Sequence, residues 1–329
     1  MFDVITIGSA IRDVFMRCGE IKAVEWKEFP TGKGAVFPVG SKIDVDEMKF
    51  MVGGGAINTA VTFSNQGLKV AVLSSLGKDL AGEQIKKFLK DHKIESKFVF
   101  EDTKHSTPYS VIISLGGGER TIFRYKGAKD EIAHSRIPWN SMKANWFYVN
   151  HLEDDTAKLL PQIFDFAKQN GIKVAFNPGS TQIDMKDEVI PLLKYVDVLM
   201  VNQEEASALT GIPYENRNGI FKKFDELVDG IAIMTKGPEG VEISDGKTVW
   251  SAGVLPLDNI IDRTGAGDAF GSGFVAALIQ KPGDIEYAIQ FASANATGVL
   301  TEWGATNGLL RKGEDTEKWG KLDIRTINL

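Results

Sequence analysis

The residues whose types and spacing point most clearly to chemistry form the segment Asp262-Arg-Thr-Gly-Ala-Gly-Asp268. Apolar residues recur at helical spacing directly after it, which predicts a helix over residues 268–280. The turn Gly265-Ala266-Gly267 would then precede a helix N-terminus, where small side chains leave the backbone N–H groups accessible. Together with the positive end of the helix dipole, such N–H groups are typical of an anion-binding site.

Asp268 stands at the edge of this predicted anion site, where its negative charge would repel the anion. A carboxylate beside an anion site is unfavourable in a purely structural role, but it is useful in a reaction. The carboxylate can orient a neutral hydroxyl against an incoming phosphoryl group and accept its proton as the O–P bond forms. The alternative is that Asp268 is only the N-cap of the helix, a position that Asp favours. The spacing alone leaves both interpretations open.

A second glycine pattern overlaps this predicted helix. Gly271-Ser-Gly-Phe-Val-Ala276 matches the G-x-G-x-x-A fingerprint of dinucleotide-binding proteins. That fingerprint requires its glycines in a turn that follows a strand, whereas here the match lies within the helix. The pattern therefore does not indicate a dehydrogenase.

Composition and charge limit the class of protein. The chain has 329 residues, and 38 Lys and Arg against 44 Asp and Glu give a formal net charge of −6. This acidic balance disfavours nucleic acid and anionic membrane surfaces as partners, and the longest uncharged run, residues 50–68, is too polar to span a bilayer. The single cysteine, Cys18, cannot form an internal disulfide. With an early acidic residue and no basic segment at the start, we expect a cytoplasmic protein.

From residue 145 onwards, short apolar strands alternate with helices. This order predicts an α/β fold whose mostly parallel sheet is covered by helices on both faces. A strand at 70–74 and helices at 58–66 and 81–91 fit the same fold. The predicted later strands are 146–150, 173–177, 196–201 and 231–235, and the predicted later helices are 156–169, 187–195, 204–209, 268–280 and 285–300.

Two segments have a different character. Residues 13–51 hold turn residues between short apolar pieces, and residues 104–126 hold two short strands joined by a hairpin turn at 116–120. This pattern predicts small antiparallel strands. We therefore expect one α/β domain over residues 1–329 that carries a small β insertion built from both segments.

The segment that ends in Asp268 is the hallmark of the PfkB, or ribokinase-like, carbohydrate kinases, and the sequence resembles this family over nearly the whole chain. Gly53-Gly-Gly-Ala-Ile-Asn58 is similar to the family's N-terminal double-glycine motif, and Gly8-Ser-Ala-Ile-Arg-Asp13 to its first strand and substrate aspartate. The resemblance implies a ribokinase-like three-layer α/β/α fold with a small β lid. Later segments are similar to the family's strand-end motifs: Asn177-Pro-Gly, Asn202-Gln-Glu-Glu205 and Thr235-Lys-Gly-Pro-Glu-Gly240.

The resemblance also assigns roles to residues of the site. Asp268 would be the catalytic base, and the backbone N–H groups of Gly265-Ala266-Gly267 would form the anion hole for the transferring phosphoryl group. Asp13 and Asn58 would bind hydroxyl groups of a sugar, and the glycine pair Gly54-Gly55 would let the backbone approach it. For Asn58, the N-cap of the predicted helix is an alternative role that is compatible with binding.

ATP and Mg²⁺ are the cofactors that the resemblance implies. Asn202 and Glu205 would lie near the phosphates and the hydrated Mg²⁺, because oxygen ligands suit this hard cation. Asn177, Lys236 and Gly237 would line the ATP site at the carboxyl ends of the strands. Plainer alternatives are a solvated helix carboxylate for Glu205 and a turn residue for Asn177.

His151 follows the predicted strand 146–150, where relatives often place a polar residue that contacts the substrate. A structural or solvent-facing histidine is the alternative. The residue type alone does not decide between them.

Potassium lies beside the anion hole in many members of the family. Asp262 and Thr264 match the positions that supply its ligands, and backbone carbonyls of Val299 and Gly304 are expected to complete the site. Gly308 stands where many relatives offer a side-chain oxygen, which leaves potassium dependence open.

Fold and motifs together predict an ATP-dependent kinase that phosphorylates a primary hydroxyl, or hydroxymethyl, group of a small sugar. A nucleoside kinase of the same family is the alternative substrate class, and Gly55, where ribose kinases often carry Lys, weakens a specific assignment to ribose. A non-catalytic relative that only binds sugar or nucleotide is the alternative of another class. The lid, built from residues 13–51 and 104–126, would exclude water during transfer, and an exposed edge of its sheet would allow a homodimer.

Overall fold

The computed structural model describes residues 1–29, 32–115, 120–128 and 137–328, and most of these residues lie in helices or strands. The strands in these residues are Phe2–Ile7 (β1), Ile11–Arg17 (β2), Ala23–Glu25 (β3), Lys33–Ala35 (β4), Glu47–Gly53 (β5), Val70–Gly77 (β6), Glu95–Asp102 (β7), Tyr109–Ser114 (β8), Arg120–Tyr125 (β9), Ala144–Val149 (β10), Lys173–Phe176 (β11), Val198–Asn202 (β12), Ile231–Thr235 (β13), Val241–Ser244 (β14), Thr248–Ala252 (β15) and Ile324–Asn328 (β16). The α-helices are Gly55–Asn65 (α1), Leu80–Asp91 (α2), Asp154–Ala157 (α3), Leu160–Gln169 (α4), Ser180–Asp184 (α5), Lys186–Val189 (α6), Gln203–Thr210 (α7), Arg217–Leu227 (α8), Ala266–Gln280 (α9) and Ile285–Leu300 (α10).

A ten-stranded sheet forms the centre of the protein, with the spatial order β7–β6–β1–β10–β11–β12–β13–β14–β15–β16. The strands from β7 to β13 pair in parallel, and β14, β15 and β16 extend the sheet in antiparallel pairs. Parallel strands end at the same edge of a sheet. The segments that follow β1, β10, β11, β12 and β13 therefore lie side by side, where ligands bind in open α/β sheets.

Helices cover both faces of the large sheet. One apolar core packs α1, α9 and α10 against one face and includes Phe63 and Phe274. The other core packs α4, α7 and α8 against the opposite face and includes Phe164 and Phe224. These layers confirm the predicted three-layer α/β/α fold. Among the described residues, no helix combines the length and the apolar character that crossing a membrane would need.

A second, small sheet has the order β5–β2–β8–β9. β2 pairs antiparallel with β5 but parallel with β8, and β8 pairs antiparallel with β9. The antiparallel strands predicted within each of the two segments are thus confirmed, whereas the parallel pairing of β2 with β8, which joins the segments, was not predicted. Of the turn predicted at 116–120, residues 116–119 lie outside the described residues, and Arg120 is the first residue of β9.

The bounds of β13 and α10 match the predicted ones, whereas other elements differ. The helix predicted over 156–169 is divided into α3 and α4. Pro161 stands in the first turn of α4, where its missing N–H costs nothing, and its ring prevents a continuous helix through this point. Strands β14, β15 and β16 were not predicted. The prediction rested on the alternation of strands with helices, and these three antiparallel strands do not follow that alternation.

Candidate active site

The glycine turn before α9 has the conformation that an anion site requires. The helix begins at Ala266, with Gly265 as its N-cap at φ +79°, so it starts two residues earlier than predicted. A Cβ on Gly265 would overlap the side chain of Ala305, whereas a Cβ on Gly267 would enter open space. Asp268 consequently lies inside the first turn, and the interpretation of Asp268 as the N-cap is wrong.

The Asp268 carboxylate faces α1 across the cleft. The amide of Asn58 donates a 2.7 Å hydrogen bond from Nδ2 to Oδ2 of Asp268. Burial raises the pKa of Asp268 to about 6, and the hydrogen bond from Asn58 partly opposes this rise. Asp268 as a whole residue is half-buried, and the neighbouring Gly267 is exposed.

Asn58 also has an atom without a partner. Its Oδ1 is buried and accepts no hydrogen bond. The N-cap of α1 is Gly54, at φ +95°, and α1 begins at Gly55, so the capping alternative for Asn58 is wrong. An orphaned buried acceptor beside a carboxylate is what a site for a hydroxyl-bearing ligand would present before the ligand binds.

Asp13 faces the same place from the small sheet. Its side chain is buried in β2, and a Cβ added to Gly53 would overlap Oδ2 of Asp13 and lie 3.7 Å from Oδ1 of Asn58. Burial raises the pKa of Asp13 to about 7; a hydrogen bond from Ser110 lowers it and the charge of Asp262 raises it further. Asp13, Asn58 and Asp268 thus lie close together between α1, α9 and the small sheet.

The family resemblance assigns four residues to a potassium site, and three of them, Asp262, Thr264 and Gly304, are joined by hydrogen bonds. The carboxylate of Asp262 accepts hydrogen bonds from the N–H and the hydroxyl of Thr264 and from the N–H of Gly304. The carbonyl of Val299 accepts the N–H of Glu302 at 3.2 Å, at the end of α10. Arg120, from β9, also reaches Asp262.

Three of the residues expected at the ATP site follow neighbouring strands. Asn177, Asn202 and Lys236 come at the carboxyl ends of β11, β12 and β13. Asn202 and Glu205 form a capping box at the start of α7: Oδ1 of Asn202 accepts the N–H of Glu205 at 2.8 Å, and Oε2 of Glu205 accepts the N–H of Asn202 at 2.9 Å. Both therefore have a structural role independent of any ligand, and burial raises the pKa of Glu205.

Lys236 and Gly237 differ in how they are placed. The ammonium of Lys236 is almost fully buried and lies 2.7 Å from Oε1 of Glu242, so its charge is directed into the protein. Gly237 has φ +55°, and nothing would contact a Cβ there. Gly237 is exposed in this turn, together with Pro238 and Glu239.

His151 lies in a cleft at the end of β10. Its Nε2 is 3.2 Å from the hydroxyl of Thr181, and burial lowers its pKa, so the ring is neutral at neutral pH. The cleft is also lined by Ser9, Arg124 and Glu153. His151 is thus neither solvent-facing nor confined to the apolar core, and it borders an open space beside β1.

Two arginines of β9 were missed by sequence reasoning. Arg120 reaches Asp262, and Arg124 forms a 2.6 Å ion pair with Glu153. The period of two along β9 puts Arg120, Ile122 and Arg124 on one face. Side chains four positions apart on a strand share a face, so the spacing of the two arginines was a sign in the sequence that both lie on the same side of β9.

The overlapping G-x-G-x-x-A pattern is explained by packing. A Cβ on Gly271 would overlap the hydroxyl of Tyr148, and a Cβ on Gly273 would lie 3.1 Å from the Cα of Ala292 in α10. Both glycines are buried in the middle of α9. They permit close contact of α9 with β10 and α10, as expected for a pattern that is not a dinucleotide fingerprint.

Comparison with known proteins gives consistent matches. Residues 1–312 match the pfkB family of carbohydrate kinases. The chain is 28% identical to a ribokinase from Haemophilus influenzae over 286 residues, which cover 84% of this chain and 90% of that protein. It is 24% identical over 285 residues to a nucleoside kinase from Methanothermobacter thermautotrophicus, with 84% and 88% covered. Its structure is similar to that of a putative ribokinase II from E. coli in complex with ATP and Mg²⁺, with a TM-score of 0.77, 18% identity, and 94% and 96% of the two chains covered.

The shared architecture first defines the class, a protein with the ribokinase fold. Since the family match extends over nearly the whole chain, the protein belongs to the pfkB family of carbohydrate kinases. Members of this family are ATP-dependent phosphotransferases. The protein is therefore an ATP-dependent kinase of the sugar and nucleoside kinase group.

Proposed function

We propose that this kinase transfers the terminal phosphoryl group of ATP to a primary hydroxyl group of a small sugar, with Asp268 as the base. The proposal rests on the 2.7 Å hydrogen bond between Asn58 and Asp268 at the glycine turn, beside a buried oxygen of Asn58 that has no partner. That oxygen is an acceptor for a ligand hydroxyl. Asp13 and the glycine pair Gly54-Gly55 would hold further hydroxyls of the sugar.

Asp268 would accept the hydroxyl proton during transfer. With a pKa of about 6, the carboxylate is mostly ionised at neutral pH and is a stronger base than an ordinary aspartate. The sugar oxygen forms the new bond to phosphorus, the bond from phosphorus to the bridging oxygen of ADP breaks, and the proton moves to Asp268. The N–H groups of Gly265-Ala266-Gly267 would stabilise the negative charge on the phosphoryl oxygens.

Glu205 is the residue we assign to magnesium. Its capping bond uses Oε2, which leaves Oε1 for a water of the hydrated ion, and this suits Mg²⁺ because it keeps several waters and uses few carboxylates. When bound, Mg²⁺ would neutralise charge on the ATP phosphates. Asn177, Asn202 and the backbone of Lys236-Gly237 would line the nucleotide site.

The small sheet would act as the lid. It carries Asp13 to the sugar site, and Arg120 and Arg124 join it to the main body at two separate places. Closure would exclude water, so that hydrolysis of ATP does not compete with transfer. His151, in the cleft below Arg124, would contact the substrate from the main body.

A nucleoside kinase is the second candidate. Similarity to the Methanothermobacter nucleoside kinase over 84% of this chain favours it. The chemistry at Asp268 would be unchanged, because a nucleoside also offers a primary hydroxyl group. The two candidates differ only in the substrate.

A panel of sugars and nucleosides with ATP and Mg²⁺, followed by detection of ADP, separates these candidates. We expect one class to be phosphorylated at its primary hydroxyl, and Asp268→Asn to lower kcat about 1000-fold because the general base is lost. Asp284→Asn is the matched control, since Asp284 caps α10 and Asn caps equally well. Activity of Asp268→Asn within about tenfold of wild type would exclude Asp268 as the base. Binding of ATP or sugar without turnover of any substrate would indicate the non-catalytic alternative.

A further inference from the structure

The carboxylate of Asp262 is a buried charge directly before the glycine turn. Its side chain is only 5% exposed. Oδ1 accepts hydrogen bonds from the N–H of Thr264 at 3.0 Å and from its hydroxyl at 2.8 Å, and Oδ2 accepts one from the N–H of Gly304 at 3.1 Å. These neutral donors orient the carboxylate but do not cancel its charge. A buried charge without a counter-charge is strongly unfavourable.

Arg120 supplies the counter-charge from the small sheet. Its Nη1 lies 3.3 Å from Oδ1 of Asp262 and donates to the hydroxyl of Thr264 at 3.1 Å. In the part of the chain that the structure describes, no other basic side chain forms an ion pair with Asp262. Because β9 carries Arg120, this pair connects the small sheet with the loop that holds the glycine turn.

While Arg120 is in place, its guanidinium group keeps a potassium ion away from this carboxylate. Oδ1 accepts three hydrogen bonds, one of them from the guanidinium group of Arg120, which occupies the place beside this oxygen that a cation would take, and Oδ2 accepts the N–H of Gly304. Gly304 presents its N–H to Asp262, and the carbonyl of Val299 already accepts the N–H of Glu302. A guanidinium group at 3.3 Å would also repel a second cation.

We propose that Arg120 is an internal counter-cation of the glycine turn, which neutralises Asp262 when the small sheet is closed and replaces a potassium ion from solution. The inference rests on the proposed function and adds to it. Arg120 is a positioning residue: it holds Asp262 and Thr264, and through them the start of α9, without touching the substrate. Opening of the small sheet withdraws the positive charge, so closure and the geometry of the turn are coupled.

The test compares Arg120→Ala and Arg120→Lys with Arg17→Ala. Arg17 lies in the same cross-strand row of the small sheet as Arg120, but it pairs with Glu47 and not with the turn, which makes it a matched control. Phosphoryl transfer is measured in tetramethylammonium, sodium and potassium chloride at equal ionic strength. We expect the kcat of the wild type and of Arg17→Ala to vary by less than about twofold among the salts.

For Arg120→Ala in tetramethylammonium, we expect kcat to fall about 100-fold, since the turn loses its alignment. Potassium should raise the kcat of this variant at least about tenfold by binding where the guanidinium group was removed, and the KM for ATP should change less than kcat. Arg120→Lys keeps the charge and should stay within about tenfold of the wild type. A merely structural role for Arg120 would not produce rescue by potassium.

Thermal unfolding provides a measurement independent of catalysis. A cation that binds only the folded protein raises Tm, so potassium should raise the Tm of Arg120→Ala relative to tetramethylammonium and leave that of the wild type unchanged. The proposal is overturned if the wild type gains more than about tenfold in kcat from potassium. It is also overturned if Arg120→Ala keeps the wild-type kcat in tetramethylammonium, or if potassium changes neither its kcat nor its Tm. If the wild type phosphorylates no sugar or nucleoside, the proposed function fails, and the Tm comparison alone decides on Arg120.

Discussion

Asn58 and Asp268 lie 210 residues apart in the chain, and the amide of one donates a 2.7 Å hydrogen bond to the carboxylate of the other. The bond joins the first turns of α1 and α9, two helices that pack side by side on one face of the large sheet. Each N-terminus begins with a glycine of positive φ, Gly54 and Gly265. Two helix dipoles and one oriented carboxylate therefore meet at a single point of the cleft.

Removal of this hydrogen bond should change the pH dependence of the reaction. The bond from Asn58 lowers the pKa of Asp268, so Asn58→Ala should raise that pKa above its value of about 6. The acid limb of the pH profile of kcat should move to higher pH, since a protonated Asp268 cannot act as the base. Asn65→Ala, on the same helix but without contact to Asp268, is the control. An acid limb that stays in place in Asn58→Ala would show that Asp268 does not govern it.

The buried carboxyl group of Asp13 should destabilise the ligand-free protein at high pH. Its pKa is raised from 3.8 to about 7, so the folded state binds the proton more tightly than the unfolded chain. Stability is therefore lost as pH rises from about 4 to about 7, with a cost of up to about 4 kcal/mol above that range. Asp13→Asn should be more stable than wild type at pH 8 and equally stable at pH 4, by denaturant unfolding at both pH values. Asp165→Asn, at an exposed position of α4, should show no such difference. A stability gain for Asp13→Asn that is equal at both pH values would contradict the titration argument.

The sequence predicted those features of the site that depend on residues close together in the chain. The glycine turn, the polar residues after successive strands and the alternation of strands and helices are local patterns, and they led correctly to the fold and to the presence of a helix directly after the glycine turn. The N-cap interpretations of Asp268 and Asn58 failed because the helices begin two and three residues earlier, at Ala266 and Gly55, each after an N-cap glycine of positive φ.

Contacts between distant segments were beyond sequence reasoning. The ion pair between Arg120 and Asp262 depends on the position of β9, which is set by the parallel pairing of β2 with β8 and not by any local pattern. Such pairings follow from register and packing, which a single sequence does not encode at short range.

The two glycines of the turn should respond to substitution in opposite ways. Gly265→Ala would place a Cβ onto Ala305 at φ +79°, so we expect a loss of about 2–4 kcal/mol in the free energy of unfolding. Gly267→Ala meets no atom within 4 Å and should keep wild-type stability. Its methyl group would nevertheless enter the space in front of the N–H groups, and kcat should fall about tenfold or more. Denaturant unfolding and steady-state kinetics of both variants test this pair; full activity of Gly267→Ala would mean that the phosphoryl group does not approach the turn.

The outer face of the small sheet should mediate a homodimer. Register pairs place Phe50 of β5 and Phe123 of β9 on the face opposite to Asp13, and more than half of each side chain is exposed. Among the described residues β9 pairs only with β8, so it is an edge strand of the small sheet, and such an edge favours pairing with another sheet. Sedimentation velocity should show a dimer for the wild type and a monomer for Phe123→Asp. Leu80→Asp, an exposed apolar position on α2, should leave the dimer intact. A wild type that sediments as a monomer at micromolar concentration would refute this interface, and a dimer that persists in Phe123→Asp would place the contact elsewhere.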